Sequence, residues 1–153
     1  MRLPLAVTLA VVVAALSPAT APRAQTPGWI ADPRTGCRVW NPAPAPDESI
    51  DWSGGCDGGL AGGRGVLQWT LKGQPTDRYE GEMRAGRYEG RGAMRFVDGG
   101  RYDGDWRDGR AHGVGTHVGA DGGTASGRWT DGCFDDGARQ AWVETTKERC
   151  GFK

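Results

Sequence analysis

The chain is poor in the residues from which metal sites are built. It contains two histidines, and its four cysteines form no Cys-x-x-Cys pair, whereas structural zinc sites use closely spaced cysteine and histidine ligands. We therefore predict no metal. The chain also lacks an excess of either charge, since 19 basic side chains face 19 acidic ones. A near-neutral chain has no broad electrostatic attraction for nucleic acid, so we expect no nucleic-acid partner.

Catalytic motifs are missing as well. No Gly-x-Ser-x-Gly occurs, and that motif marks one large class of serine hydrolases. Acidic residues are abundant, but none is embedded in apolar sequence that would raise its pKa. The run Asp103-x-Asp105-x-x-Asp108-Gly109 departs from EF-hand spacing by one residue and lacks the closing glutamate. We expect a non-catalytic chain with no cofactor; a weak secreted hydrolase of glycosidase type is the enzymatic alternative.

One short apolar run stands out, at the start of the chain. Met1 and Arg2 precede an apolar stretch at residues 3–16, and small residues follow at 17–21. This order is typical of a secretory signal peptide. We predict a signal peptide over residues 1–24, cleaved between 19 and 24, with a retained membrane anchor as the alternative. No cysteine lies near that boundary, so we expect export to a bacterial periplasm or beyond without a lipid anchor.

Glycine is abundant, with 27 of 153 residues against a usual share of about 7%. Its spacing reveals a repeat, because Tyr79-Glu-Gly-Glu-Met83 recurs 23 residues later as Tyr102-Asp-Gly-Asp-Trp106. We assign an N-terminal cap with a proline-rich segment to residues 25–51. Repeats follow at 52–78, 79–101 and 102–124, and 125–153 forms a degenerate fourth repeat with a C-terminal cap. Glycines recur at the third and eighth positions of the four units: Gly54, Gly81, Gly104, Gly127 and Gly59, Gly86, Gly109, Gly132.

Each unit has the pattern of a β-hairpin. Tyr102, Gly104 and Trp106 alternate with charged residues, which places the aromatic rings on one face of a strand. Asp108-Gly109 is a turn dipeptide. Stacked hairpins bury a face that one hairpin cannot bury alone. We therefore predict an all-β single domain of tandem antiparallel β-hairpin repeats that form an elongated, twisted meander. The predicted repeat core comprises Trp52, Trp69, Tyr79, Met83, Phe96, Tyr102, Trp106, Trp129 and Trp142.

The pattern Tyr-x-Gly-x-Trp-x-x-Gly-x-x-x-Gly-x-Gly resembles the MORN (membrane occupation and recognition nexus) repeat. Residues 102–115 fit every position, and residues 79–92 carry Met83 in the tryptophan place. Residues 52–65 depart further, with Trp52 and Cys56 in the tyrosine and tryptophan places. Residues 36–42 add a likeness to small secreted bacterial proteins of this type. The resemblance implies a hairpin array used for protein or membrane contact, with no chemistry of its own.

Four cysteines in an exported chain suggest two disulfides, for which three pairings exist. Distant units of a linear repeat array do not meet. Cys37 and Cys56 lie where the chain enters the array, and Cys133 and Cys150 lie where it leaves. We therefore predict the pairs Cys37–Cys56 and Cys133–Cys150, which would staple the two ends of the domain.

The second repeat offers the candidate partner surface. Its members are Arg84, Arg87, Tyr88 and Arg91, and we expect Tyr88 and Arg91 to be exposed in a groove. Interleaved glutamates make a solvated ion-pair face the alternative. Our first functional prediction is a protein-interaction or scaffold surface in the cell envelope, and binding of membrane lipid or envelope glycan is the second. The sequence specifies neither the partner nor the oligomeric state.

Overall fold

The computed structural model describes residues 28–153, so the predicted signal peptide lies outside the described residues. No helix within that part of the chain is long and apolar enough to cross a membrane. The described residues form twelve strands. In chain order they are β1 (Gly28–Ala31), β2 (Arg38–Asn41), β3 (Glu48–Trp52), β4 (Gly55–Asp57), β5 (Leu60–Leu71), β6 (Gln74–Arg84), β7 (Arg87–Arg95), β8 (Arg101–Arg107), β9 (Arg110–Val118), β10 (Thr124–Trp129), β11 (Cys133–Asp135) and β12 (Gln140–Trp142).

Ten of these strands form one sheet, in the order β1-β2-β5-β6-β7-β8-β9-β10, with β3 and β4 also paired to β5. From β5 to β10 each strand pairs antiparallel with the next one in the chain, which is the predicted hairpin meander. β2 meets β5 through a single parallel pair, Arg38 with Leu60. β11 and β12 form a separate two-stranded sheet.

The hairpin turns have the backbone that the sequence predicts. Ala85 and Gly86 have φ of 48° and 72°, and Asp108 and Gly109 have 47° and 80°. Two consecutive residues of positive φ make the type of turn whose twist matches that of the flanking strands. Asp131-Gly132 repeats this geometry in the fourth unit, with φ of 50° and 89°. The turn geometry is therefore kept where the rest of the repeat pattern decays.

The paired glycines of each repeat make room for a tyrosine ring. In the β8–β9 hairpin Gly104 lies opposite Gly115, and a Cβ atom on either would overlap the side chain of Tyr102. The hydroxyl of Tyr102 donates to the carbonyl of Asp105 at 3.0 Å. The β6–β7 hairpin repeats the arrangement with Tyr79 as the enclosed ring.

The core is a continuous row of aromatic side chains on one side of the sheet, which we call the aromatic face. Ring centroids of successive members lie 4.3–5.3 Å apart, most of them edge-to-face, the geometry that aromatic pairs prefer. The row thus crosses repeat boundaries and joins the hairpins into one core. Its members are Tyr79, Tyr88, Trp106, Tyr102, Trp129 and Phe134.

The structure buries most of the predicted repeat core, but one predicted core residue is exposed and one predicted surface residue is buried. Trp52, Trp69, Tyr79, Met83, Tyr102, Trp106 and Trp129 are buried, and Phe96 packs against them while partly exposed. Trp142, in contrast, is 42% exposed, because β12 belongs to the separate two-stranded sheet rather than to the array. Tyr88, predicted to be exposed, is buried, because its ring packs between those of Tyr79 and Trp106.

The two predicted disulfides are present. Cys37 pairs with Cys56 and Cys133 with Cys150, each with Cα atoms 5.6 Å apart. The first disulfide joins the β1–β2 hairpin to β4. The second closes the C-terminal segment, residues 143–150, against β11. Both disulfides therefore hold terminal segments in place on the repeat array.

Candidate binding cleft

Successive hairpin turns are hydrogen-bonded to one another along one edge of the array. The N–H groups of Gly86, Gly109 and Gly132 each donate to a carbonyl of the preceding hairpin, at 2.8–3.0 Å. This ladder of turns follows from the regular repeat, since each turn occupies the same place in its unit. The carbonyl groups of Gly86 and Gly132 each accept one further backbone hydrogen bond.

Segments from the N-terminal and C-terminal sides of the array bind this ladder at the turns on either side of Gly109. The N–H of Trp40 in β2 donates to the carbonyl of Gly86 at 2.9 Å, and that of Val143 donates to Gly132 at 2.8 Å. Within residues 28–153 no backbone N–H makes the matching bond to Gly109, the turn between them. The middle position of the ladder is thus left open.

A cleft of about 530 Å³ lies at this open position. Residues 39–43 line one side of it, and Glu144, Thr145, Thr146 and Arg149 line the other, so segments from both sides of the array face the same cleft. The cysteine pairing predicted from the separation of the two ends of the array is correct. Trp69 and Tyr88 contribute aromatic walls, and the indole N–H of Trp69 donates to the Tyr88 hydroxyl at 2.9 Å.

Two carboxyl groups in the cleft have pKa values above their ordinary ones. Burial, with a smaller contribution from the Asp77 carboxylate, raises the pKa of Glu144 to about 7 from an ordinary value of 4.5. Burial and the nearby Asp98 also raise the pKa of Asp77, against the effect of a hydrogen bond from the N–H of Val97. Local sequence did not predict these raised pKa values, because tertiary packing places Glu144 in the cleft with Trp69 and Tyr88.

The cleft also contains a fixed arginine. The guanidinium of Arg87 lies 4.7 Å from the ring centroid of Trp40, a cation–π contact, and 3.2 Å from the carboxylate of Asp108. These contacts hold Arg87 against the N-terminal wall. Arg110 and Arg149 line the cleft too, and neither lies within 4 Å of a carboxylate of the described residues.

The structure divides the predicted partner surface. Arg87 and Tyr88 line the cleft. Arg84 and Arg91 do not line it; both are exposed, and they form ion pairs with Glu89 and Asp105. Largely solvated pairs of this kind contribute little to stability. The cleft residues that sequence reasoning missed are Asp77, Arg110, Glu144 and Arg149, which come together only because the C-terminal segment folds back over the array.

A second, more open cleft of about 830 Å³ lies beside β12. The exposed ring of Trp142 lines it together with Phe96 and His117. Burial lowers the pKa of His117, against the opposing effects of Asp98 and Asp121. The imidazole is therefore mainly neutral at physiological pH. Arg139 and Gln140 supply hydrogen-bonding groups at the same cleft.

Metal ligands are not gathered at either cleft. Among residues 28–153 no group of three or more histidine, cysteine, aspartate or glutamate side chains is arranged to hold a metal ion. The chemistry that the first cleft does offer is aromatic contact, hydrogen bonding to an open carbonyl, and ionic contact with two carboxyl groups.

The fold defines a β-hairpin repeat protein whose unit is closed by a glycine pair and an aromatic ring. The family model of the MORN repeat matches residues 79–101 and 102–124, two consecutive hairpins of the array. The chain is a MORN repeat protein. No curated protein matches the chain. MORN repeats are commonly modules for protein or membrane contact.

Proposed function

We propose that this chain is an exported, non-catalytic MORN module that binds a protein partner in the cell envelope. The observation that carries the proposal is the cleft at Gly109. It is concave, combines aromatic and polar groups, and leaves a backbone acceptor open, which are the features of binding sites. An extended polypeptide supplies the backbone N–H groups that such an acceptor requires.

Export is supported by the two disulfides. Disulfides persist in oxidising compartments such as the bacterial periplasm and are rare in the cytosol. The start of the chain has the order of a signal peptide. The test is the N-terminal sequence of the protein recovered from a periplasmic fraction, where we expect a new terminus created by cleavage between residues 19 and 24. An intact Met1 on membrane-bound protein would show a retained anchor instead.

The binding site is tested by site-specific photo-crosslinking in the native envelope. A photoreactive residue replaces Arg110, which lines the cleft, or Arg128, which is exposed on β10 as the matched control. We expect a discrete protein adduct from position 110 and none from position 128. Adducts of equal yield from both positions would contradict a partner bound at the cleft.

Glycan binding is the second candidate, favoured by the cleft at Trp142. An exposed indole beside Arg139 and Gln140 offers a flat apolar surface and hydrogen-bonding groups together. The test is a fluorescence titration with soluble peptidoglycan fragments. Saturable quenching that disappears in Trp142→Ala, with the melting temperature unchanged, would favour glycan over protein. Release of shortened glycan products in the same titration would point to hydrolase activity.

A further inference from the structure

The open turn at Gly109 lies between two turns that bind segments of the chain itself. Neighbouring strands lie about 4.8 Å apart, so consecutive turns are about 10 Å apart and the outer two are roughly 20 Å apart. An extended chain rises about 3.3 Å per residue, so roughly six residues fit along this distance. The N–H groups of Trp40 and Val143 show how such a residue binds, because each donates to an equivalent turn carbonyl.

Glu144 is an acidic residue of the cleft that has no charged partner among the described residues. The residue has a backbone φ of 57°, in the left-handed region that residues other than glycine rarely adopt. Its carboxyl group makes no hydrogen bond or ion pair within residues 28–153, although it is partly buried and lies near the Asp77 carboxylate. A cation placed between these two carboxyl groups would compensate both.

The basic residues of the cleft limit how many cations it accepts. Arg87 is held by Trp40 and Asp108, whereas Arg110 and Arg149 line the cleft without a carboxylate partner among the described residues. A segment with several positive charges would be repelled by these two guanidinium groups. A segment with one positive charge avoids most of this repulsion, and the aromatic rings of Trp69 and Tyr88 provide a surface that favours a cation.

We propose that the cleft binds an extended segment of a protein partner through a single lysine or arginine. The cationic side chain lies between Glu144 and Asp77, and a backbone N–H of the segment donates to the carbonyl of Gly109. This inference rests on the proposed function and specifies the side-chain chemistry by which the cleft recognises the partner. The partner segment completes the ladder of turns that segments from both sides of the array begin.

The test is an NMR titration of the ¹⁵N-labelled mature chain with short blocked peptides. The probe is acetyl-Gly-Ser-Lys-Ser-Gly-amide, compared with the same peptide carrying norleucine, an uncharged side chain of similar length. We expect the lysine peptide to shift the Trp69 indole N–H and the Gly109 and Arg110 amide resonances, and to bind at least tenfold more tightly than the norleucine peptide. A peptide with an N-methylated lysine residue, which loses that residue's N–H, should also bind more weakly.

The Glu144→Gln variant removes the carboxylate while it keeps the shape of the side chain. We expect it to lose the tenfold preference for lysine over norleucine. Glu80→Gln, on the exposed face of β6, is the matched control and should keep that preference. Equal binding of the two peptides to the unmodified chain would overturn the proposal, and so would the same resonance shifts produced by neutral chitotriose.

The outcomes separate this inference from the proposed function. A protein adduct formed from position 110, together with no preference for lysine, would leave a protein-binding module whose partner uses other chemistry. A lysine preference that depends on Glu144, together with no envelope adduct, would support the proposed cation recognition by the cleft. It would contradict the proposal that the ligand is an envelope protein.

Discussion

At the scale of single residues, the repeat depends on pairs of glycines whose missing side chains leave room for an aromatic ring. Gly104 and Gly115 face each other across β8 and β9, and the ring of Tyr102 occupies the volume that their missing side chains leave. Glycine in a strand ordinarily weakens it. Here the loss is offset because the tyrosine ring is fully buried and its hydroxyl is hydrogen-bonded.

We expect Gly104→Ala to destabilise the protein by at least about 2 kcal/mol, in the range of overpacked cores. A Cβ atom at this position would lie 2.6 Å from the Tyr102 hydroxyl and 2.7 Å from the carbonyl of Val114. Gly62→Ala is the matched control, because its nearest atom would be 3.9 Å away. Chemical denaturation should place that variant within about 0.5 kcal/mol of the unmodified protein; similar losses at both positions would contradict this packing.

Trp106 packs against three other rings of the aromatic row. It is 3% exposed, lies 5.0–5.5 Å from three tyrosine rings, and donates its indole N–H to the carbonyl of Gly92 at 3.0 Å. We expect Trp106→Ala to cost about 3–5 kcal/mol, as large-to-small core substitutions do. Asp103→Ala, on the exposed face of the same strand, should cost under about 0.5 kcal/mol. Equal shifts of the urea midpoint would show that the strand does not have two distinct faces.

At the scale of elements, the C-terminal segment determines what the repeat array exposes. β11 and β12 leave the array as a small separate sheet, and residues 143–150 then return to it. Val143 is buried in the common core and Glu144 enters the cleft. The segment therefore both covers part of the aromatic face and forms one wall of the candidate site.

The Cys133–Cys150 disulfide holds this segment in place. The disulfide spans 17 residues, and a loop of that size contributes about 3 kcal/mol in the chain-entropy account. We expect the double variant Cys133→Ser, Cys150→Ser to lose stability of this order. Hydrogen exchange of the Val143 N–H should also accelerate, whereas that of Trp40 at the other end of the cleft should change little. Equal acceleration at both amides would mean that the disulfide stabilises the whole fold rather than the C-terminal segment alone.

Titration of Glu144 makes stability depend on pH. Because the pKa of the folded state, about 7, lies above the ordinary 4.5, the folded protein binds the proton more tightly than the unfolded chain. This residue therefore lowers stability as pH rises from about 4.5 to 7, and the penalty is complete above that range. We expect Glu144→Gln to gain stability relative to the unmodified protein at pH 8 but not at pH 4. A difference between the two proteins that stays constant across this range would contradict the raised pKa.

At the scale of the whole molecule, charge and burial both disfavour simple attraction to lipid. Without Arg2 and Arg23, which the predicted processing removes, 17 basic side chains face 19 acidic ones and the formal charge is −2. Many exposed arginines form ion pairs with acidic side chains. Most tryptophans of the array are buried in the core rather than available to enter a bilayer.

We therefore expect negligible co-sedimentation of the mature chain with phosphatidylglycerol vesicles at physiological salt. Attraction based on charge would be screened over about 8–10 Å, so a titration from low to high salt identifies it. Phosphatidylcholine vesicles serve as the uncharged control. Salt-sensitive binding at low micromolar protein that is lost when Arg84 and Arg87 are both replaced by glutamine would instead support a membrane-binding module.

Much of this architecture could be predicted from local patterns in the sequence. The period of 23 residues, the alternation around Tyr102 and the Asp108-Gly109 turn are all local, and they predict hairpins whose geometry depends on near neighbours. The cysteine pairs could be predicted for a similar reason, since each pair lies close in sequence. Trp142 and Tyr88 show where local pattern fails. Their exposure depends on which distant segment packs against them, and repeat spacing carries no information about that.

The sequence by itself determined the repeat, its turns and the disulfides, because each of these arises between residues that are close in the chain or related by the period. Tertiary structure alone decided the cleft. Gly109 is one turn glycine among several in the sequence, and it differs from them because segments from both sides of the array hydrogen-bond to its neighbours and not to it. Glu144 acquires its raised pKa only when the C-terminal segment carries it to Asp77 and away from water. Desolvation depends on everything packed around a group, and only the folded chain specifies those surroundings.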